Sequence, residues 1–180
     1  MSIFPTSVIE PNTTITPWSL ESLGSGLSIA SASLGSLNST TFPVANTAYF
    51  IPFVVSKPIT VVKMFLCNGA AVSGNVDLGI YDSAGTKIIS IGSTAQSGTS
   101  ARQEFDITDT QIGPGQFYMA LAIDNTTAAT KNGPLSNVIL GKAFGIAEQA
   151  SAFPLPATAT FATLSSAYLP LMGLTVRTVV

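Results

Sequence analysis

The chain has 180 residues, 46% of them hydrophobic and only 9% charged, with a net charge of −2 and no His. That length suits one domain with a sizeable core, and the absence of His excludes Ser-His-Asp and Cys-His catalysis and removes the commonest zinc ligand. The basic residues Lys57, Lys63, Lys87, Arg102, Lys131, Lys142 and Arg177 are scattered singly, so no stripe tracks a phosphate backbone and nucleic acid is not an expected partner.

Residues 1–45 carry two charges, Glu10 and Glu21, and four prolines. They read as an extended N-terminal arm that docks single apolar side chains on a neighbour, with Ile3, Phe4, Val8, Ile9, Trp18 and Leu20 as the expected interface residues. Within the arm, Thr16-Pro17-Trp18 has the cap and first-turn residues of a short helix. The Gly24–Asn38 stretch reads as loops with one weak strand around Leu27–Ala30.

Residues 46–180 read as a β-sandwich of the jelly-roll kind. Ala48–Val55 is a strand rich in aromatic and β-branched residues, and Pro52 places it at an edge or a bulge. Ser56-Lys57-Pro58 is a turn, and Ile59–Cys67 is the next strand. Gly74–Tyr81 alternates Val76, Leu78 and Ile80 with Asp77, Gly79 and Tyr81, the pattern of a half-buried strand. Asp82-Ser83-Ala84-Gly85 supplies a turn into a strand at Lys87–Ile91. Gly92–Ser100 is a polar loop. Arg102–Ile107 is a strand, Asp109–Gly115 a turn, and Gln116–Ile123 a strand buried on both faces. Asn125–Pro134 reads as a loop, Asn137–Leu140 as a short strand, and Ala143–Ala162 as a long irregular connection, which in a compact domain is functional or docked elsewhere. Leu174–Val180 is the closing strand. Strands at this spacing, with no long helix, give an all-β antiparallel sandwich.

An average soluble domain is about 25% charged. A chain this charge-poor is expected to hide surface in an oligomer or larger assembly. A monomer coated with hydroxyls is the alternative. Cys67 is the only cysteine, so no intrachain disulfide forms, and its strand-like setting reads as a buried structural thiol. Met1–Ser7 lacks the basic and apolar regions of a signal peptide, and no apolar run approaches the ~20 residues of a membrane span. The sequons at Asn12, Asn38 and Asn125 therefore read as chance.

The acids are the remaining chemical candidates. Glu104, Asp106, Asp109 and Asp124 are candidates to meet at one end of the sandwich. There, Asp106, Asp109 and Asp124 would bind calcium through loop oxygens, or a carboxylate pair would hydrolyse a glycoside. The competing reading makes Asp82, Asp109 and Asp124 turn residues and Asp77 a solvated strand residue. Tyr49, Tyr81, Tyr118 and Tyr168 read as core or rim residues rather than a sugar platform. No cofactor is expected.

The runs Ala48–Phe53, Gly74–Asp82, Gly92–Gly98 and Gly113–Ala120 together resemble virion structural proteins of tailed bacteriophages, jelly-roll-like modules used as capsid decorations, fibres or tail accessories. The likeness covers about residues 46–124 and is one of strand and turn pattern. Similar patterns occur in carbohydrate-binding sandwiches, so a glycan-binding module is kept as the alternative. The resemblance implies a non-enzymatic part, often a trimer, that assembles with other virion proteins and resides in the virion.

Overall fold

The computed structural model describes residues 13–15, 37–133 and 137–178. The expected interface residues Ile3, Phe4, Val8, Ile9, Trp18 and Leu20 lie outside the described residues. So do the helix start at Thr16 and the strand at Leu27–Ala30.

In chain order the strands are β1 (Thr13–Ile15), β2 (Asn38–Thr41), β3 (Ala48–Val55), β4 (Ile59–Cys67), β5 (Asn75–Asp82), β6 (Lys87–Ser90), β7 (Thr94–Ala95), β8 (Arg102–Ile112), β9 (Gly115–Ile123), β10 (Ala129–Asn132), β11 (Ala147–Gln149), β12 (Ala162–Thr163) and β13 (Met172–Thr178). The described helix, α1 (Val138–Ala143), lies between β10 and β11. One sheet runs β1-β13-β4-β8 and the other β12-β11-β3-β9-β5-β6, with β7 beside β5. The strand pairs are antiparallel, and β2 and β10 form a separate ribbon.

The main strands pair in a nested order: β1 with β13, β3 with β9, β4 with β8, and β5 with β6. A long antiparallel hairpin rolled over on itself gives that order, so the sandwich is a jelly roll. The stretch from 1 to 45 contributes to it: β1 pairs with β13, and Phe42 is buried in the core.

Alternation along each strand builds the core. Tyr49, Ile51 and Phe53 of β3, Val76, Leu78 and Ile80 of β5, and Met119 and Leu121 of β9 point inward. They meet Val61, Met64 and Leu66 of β4 and Met172 and Leu174 of β13 from the opposite sheet. Phe42 packs edge-on against Tyr49 and Tyr168, with ring centroids 5.5 and 5.3 Å away. The Tyr168 hydroxyl lies 2.6 Å from the Thr130 hydroxyl, so the buried phenol keeps a partner. Pro52 lies beyond the stretch of β3 that β11 covers, so its missing N–H faces an unpaired side.

The structure corrects several expectations. β5 is buried on both faces rather than one, because residues 152–159 cover its outer side. The strand after Arg102 continues to Ile112 instead of turning at Asp109. A register shift opposite Val61 and Lys63 absorbs the extra residues. The loop after Asn125 contains β10, and the connection after Ala143 contains β11 and β12. Asn137 begins a helix and not a strand: its Oδ1 accepts from the Leu140 N–H at 3.0 Å, an N-cap.

Candidate functional site

The structure separates the candidate acids. Glu104 and Asp106 project outward from β8. Glu104 pairs with Lys63 at 3.3 Å and with Arg102 at 2.7 Å. Asp109 lies toward the Ile112 end of β8, which meets the start of β4. Asp124 follows β9 at the opposite end of the sandwich, where Ile123 faces Val76. There its Oδ2 accepts from the Asn75 N–H at 3.0 Å and its Oδ1 from the Asn125 amide at 2.6 Å. Among the described residues no three His, Cys, Asp or Glu side chains gather as a metal site. The calcium set Asp106, Asp109 and Asp124 is therefore not assembled. Asp82 is a turn residue as expected: its Oδ1 accepts from the N–H groups of Ala84 and Thr86 at 2.9 and 2.8 Å.

Asp77 is not solvated; it is fully buried on the outer face of the larger sheet. Its Oδ2 accepts from the Leu155 N–H at 2.9 Å, and its Oδ1 makes no hydrogen bond. Around it, Lys87 Nζ donates to the Leu155 carbonyl at 2.7 Å and the Tyr81 hydroxyl to the Pro156 carbonyl at 2.6 Å. Three side chains thus read the backbone of a strap, residues 152–159, that lies across Ala48, Phe50, Ala120 and Ala122. Small residues make this floor low. A Cβ on Gly79 would come within 2.9 Å of Leu155 Cδ1 and 3.0 Å of the Ile89 carbonyl.

Burial pushes the Asp77 carboxyl above its usual range, opposed by the Leu155 N–H and the Lys87 charge. Between the unfolded value and this raised value the folded protein holds the extra proton, so Asp77 adds stability as pH falls through that window. It loses that contribution as pH rises through the same window, up to the raised folded value. Asp77→Asn keeps an acceptor for Leu155 and removes the buried charge. Its melting temperature is expected to exceed that of the native chain most at pH 7, with the gap closing toward pH ~4. A constant gap across that range would show that Asp77 does not titrate in the fold.

At the end of the sandwich beside the 92–101 loop lies a cavity of about 350 Å³, lined by Cys67, Asn68, Ser100, Arg102, Lys131 and Leu171, among others. Buried amides form its base. Asn68 donates to the Ser97 carbonyl at 2.5 Å and to Gln103 Oε1 at 3.1 Å. It accepts from Gln96 Nε2 at 3.0 Å. Gln96 also donates to the Ala129 carbonyl and accepts from the Ser73 N–H. These bonds pin the loop to β4 and β10. Arg102 stacks over Phe65, 4.1 Å from the ring centroid. Cys67 is half-buried at the cavity wall rather than in the core. Desolvation raises its thiol pKa, and the Arg102 charge opposes the shift. Such a thiol is a poor nucleophile at neutral pH. Sequence reasoning named the loop but missed the amides beneath it.

Among the aromatic candidates, Tyr49, Tyr81 and Tyr168 are core residues. Tyr118 is half-buried on the outer face, its ring centroid 4.5 Å from that of Phe161. No described helix is long and apolar enough to cross a membrane. Comparison of the chain with protein-family profiles, with curated proteins and with solved structures finds no match.

Proposed function

We propose that this chain is a non-enzymatic structural component of a bacteriophage virion, assembling as a homo-oligomer, with a trimer favoured, alongside other virion proteins on the capsid or tail. The observation that carries the assembly reading is an uncharged face. β3 and β9 lie side by side in the larger sheet and contain no charged residue. Beyond the strap their outer side presents Val54, which is 44% exposed, with half-buried Pro52 and Tyr118. The turn after α1 packs next to Pro52, and α1 exposes Ile139 at 75%. A neutral apolar face associates without the desolvation cost of burying charge. The placement in a phage particle rests on the sequence resemblance, since a jelly roll serves many functions.

Light scattering tests the reading. The full chain is expected at three times its 18.5 kDa. Val54→Lys with Ile139→Lys is expected to give a folded monomer. A native monomer at high concentration would overturn the reading.

The cavity beside the 92–101 loop favours a second reading, a glycan-recognition module. Its wall offers the Ser100 hydroxyl and the Arg102 and Lys131 cations as donors, with an apolar Leu171 side. A glycan array is expected to give hits that Lys131→Ala weakens. A blank array at high protein concentration would remove this reading.

A further inference from the structure

Charge is sparse in this chain, yet two of its seven basic residues wall one cavity. Arg102 and Lys131 line the space beside the 92–101 loop, and no carboxylate lines it with them. Among the described residues the ion pairs are Lys63–Glu104 and Arg102–Glu104, so the Lys131 ammonium has no counter-charge there. The Arg102 guanidinium gives Nη2 to Glu104 and is held over the Phe65 ring. Its Nη1 and Nε have no partner among the described residues.

Backbone bonds fix the walls before any ligand arrives. The Lys131 carbonyl accepts from the Leu171 N–H at 2.7 Å, and the Leu171 carbonyl from the Cys67 N–H at 2.9 Å. Asn68 N donates to the Ala101 carbonyl at 2.9 Å, and Ser100 N to the Gly69 carbonyl at 2.7 Å. Ser100 is held at φ +53°, a conformation that costs a non-glycine residue energy. Strain of that kind gathers at ligand clamps. A main chain already in place adds no ordering cost to binding.

Charge selects the ligand. Arg102 and Lys131 with the neighbouring Glu104 leave one positive charge. One carboxylate balances it, whereas a phosphate monoester carries roughly −1.5 to −2 at pH 7. A carboxylate also matches the paired N–H donors of a guanidinium. The rest of the wall joins the Ser100 hydroxyl to apolar Leu171 and Ala101, which suits a ring with hydroxyls on its edge and C–H groups on its face. The volume of about 350 Å³ is near the low end of small-molecule sites, about 300–1,000 Å³, and suits one sugar unit.

We propose that this cavity binds an acidic sugar, its carboxylate held by Lys131 and Arg102 and its ring against Leu171. This rests on the glycan-recognition reading above and names the class of sugar.

Ligand-observed NMR on the full chain tests it. The probes are the methyl glycosides of glucuronic, galacturonic and N-acetylneuraminic acid, each beside its carboxyl methyl ester, with acetate as the carboxylate lacking a ring. At least one acid is expected to bind about tenfold tighter than its ester, because the ester loses the charge-assisted hydrogen bonds. Lys131→Gln is expected to erase most of that preference while keeping the melting temperature and the ester affinity near native. Lys57→Gln, at the opposite end of β4, is expected to leave it intact. Equal binding of acid and ester overturns the carboxylate assignment and leaves the glycan reading standing. Acetate binding as tightly as the acid overturns the sugar assignment. A preference that survives Lys131→Gln overturns this site. No binding of any acid at millimolar concentration overturns the inference, and array hits from neutral glycans alone would then keep the broader reading.

Discussion

Leu155→Asp is expected to destabilise the protein by at least about 3 kcal/mol, and to free the strap from the sheet. The native side chain is 3% exposed in a cluster with Phe50, Tyr81, Ala120 and Ala122. Removing a buried leucine alone costs about 2–5 kcal/mol. The substitution also places a second carboxylate beside Asp77, whose Oδ1 already lacks a hydrogen bond. Two carboxylates in one dry site cannot both ionise, so the strap is expelled or one acid stays protonated. Urea unfolding measures the loss, and limited proteolysis between Ser151 and Phe161 reports the release. A loss below about 1 kcal/mol would mean that the strap adds little to the fold.

Asn68→Ala is expected to cost about 3 kcal/mol and to loosen the 92–101 loop. The side chain is fully buried and makes both kinds of hydrogen bond, donating to Ser97 and Gln103 and accepting from Gln96. Without it the Ser97 carbonyl loses its donor. Gln103 Oε1 retains the Ser97 N–H, and Gln96 Nε2 retains the Ala129 carbonyl. The remaining cost is desolvation of polar atoms left facing a void. Asn68→Asp is expected to be at least as harmful, since a carboxylate would meet two acceptor oxygens with nothing to donate. Denaturant unfolding and faster hydrogen exchange at residues 96–101 are the readouts. An Asn68→Asp variant as stable as the native chain would contradict the network.

The clearest strands were legible because one side chain pattern decides them. Ala48–Val55 and Ile59–Cys67 were bounded to the residue, since apolar β-branched and aromatic runs end at turn signals. The Asp82–Gly85 turn was legible for the same reason: both its Asx bonds and its positive φ at Gly85 are local. The burial of Asp77 was not, because its cover comes from Leu155, 78 residues later. Alternation describes a strand's two faces and says nothing of a distant segment that settles on one of them. Val138-Ile139-Leu140 of α1 reads as a strand because it is β-prone, and six residues are too few to show a helical period. Gln96 reads as a residue of the Gly92–Ser100 loop and Gln103 as one of the Arg102–Ile107 strand, with nothing in the sequence to join either to Asn68. Amides have no spacing rule, and only the fold brings their three positions together.

The nested pairing carries a consequence for synthesis. β13 lies between β1 and β4, so the smaller sheet joins some of the earliest residues to some of the last. While the chain is being made, β4 can find β8 but its other edge has no partner until residues 172–178 leave the ribosome. At roughly 5–20 residues per second, that edge is bare for several seconds in every nascent molecule. An unpaired strand edge with Met64 and Leu66 behind it is a site for premature pairing between nascent chains. Yield in cells should therefore depend on how fast the final stretch is translated, independently of how stable the finished protein is.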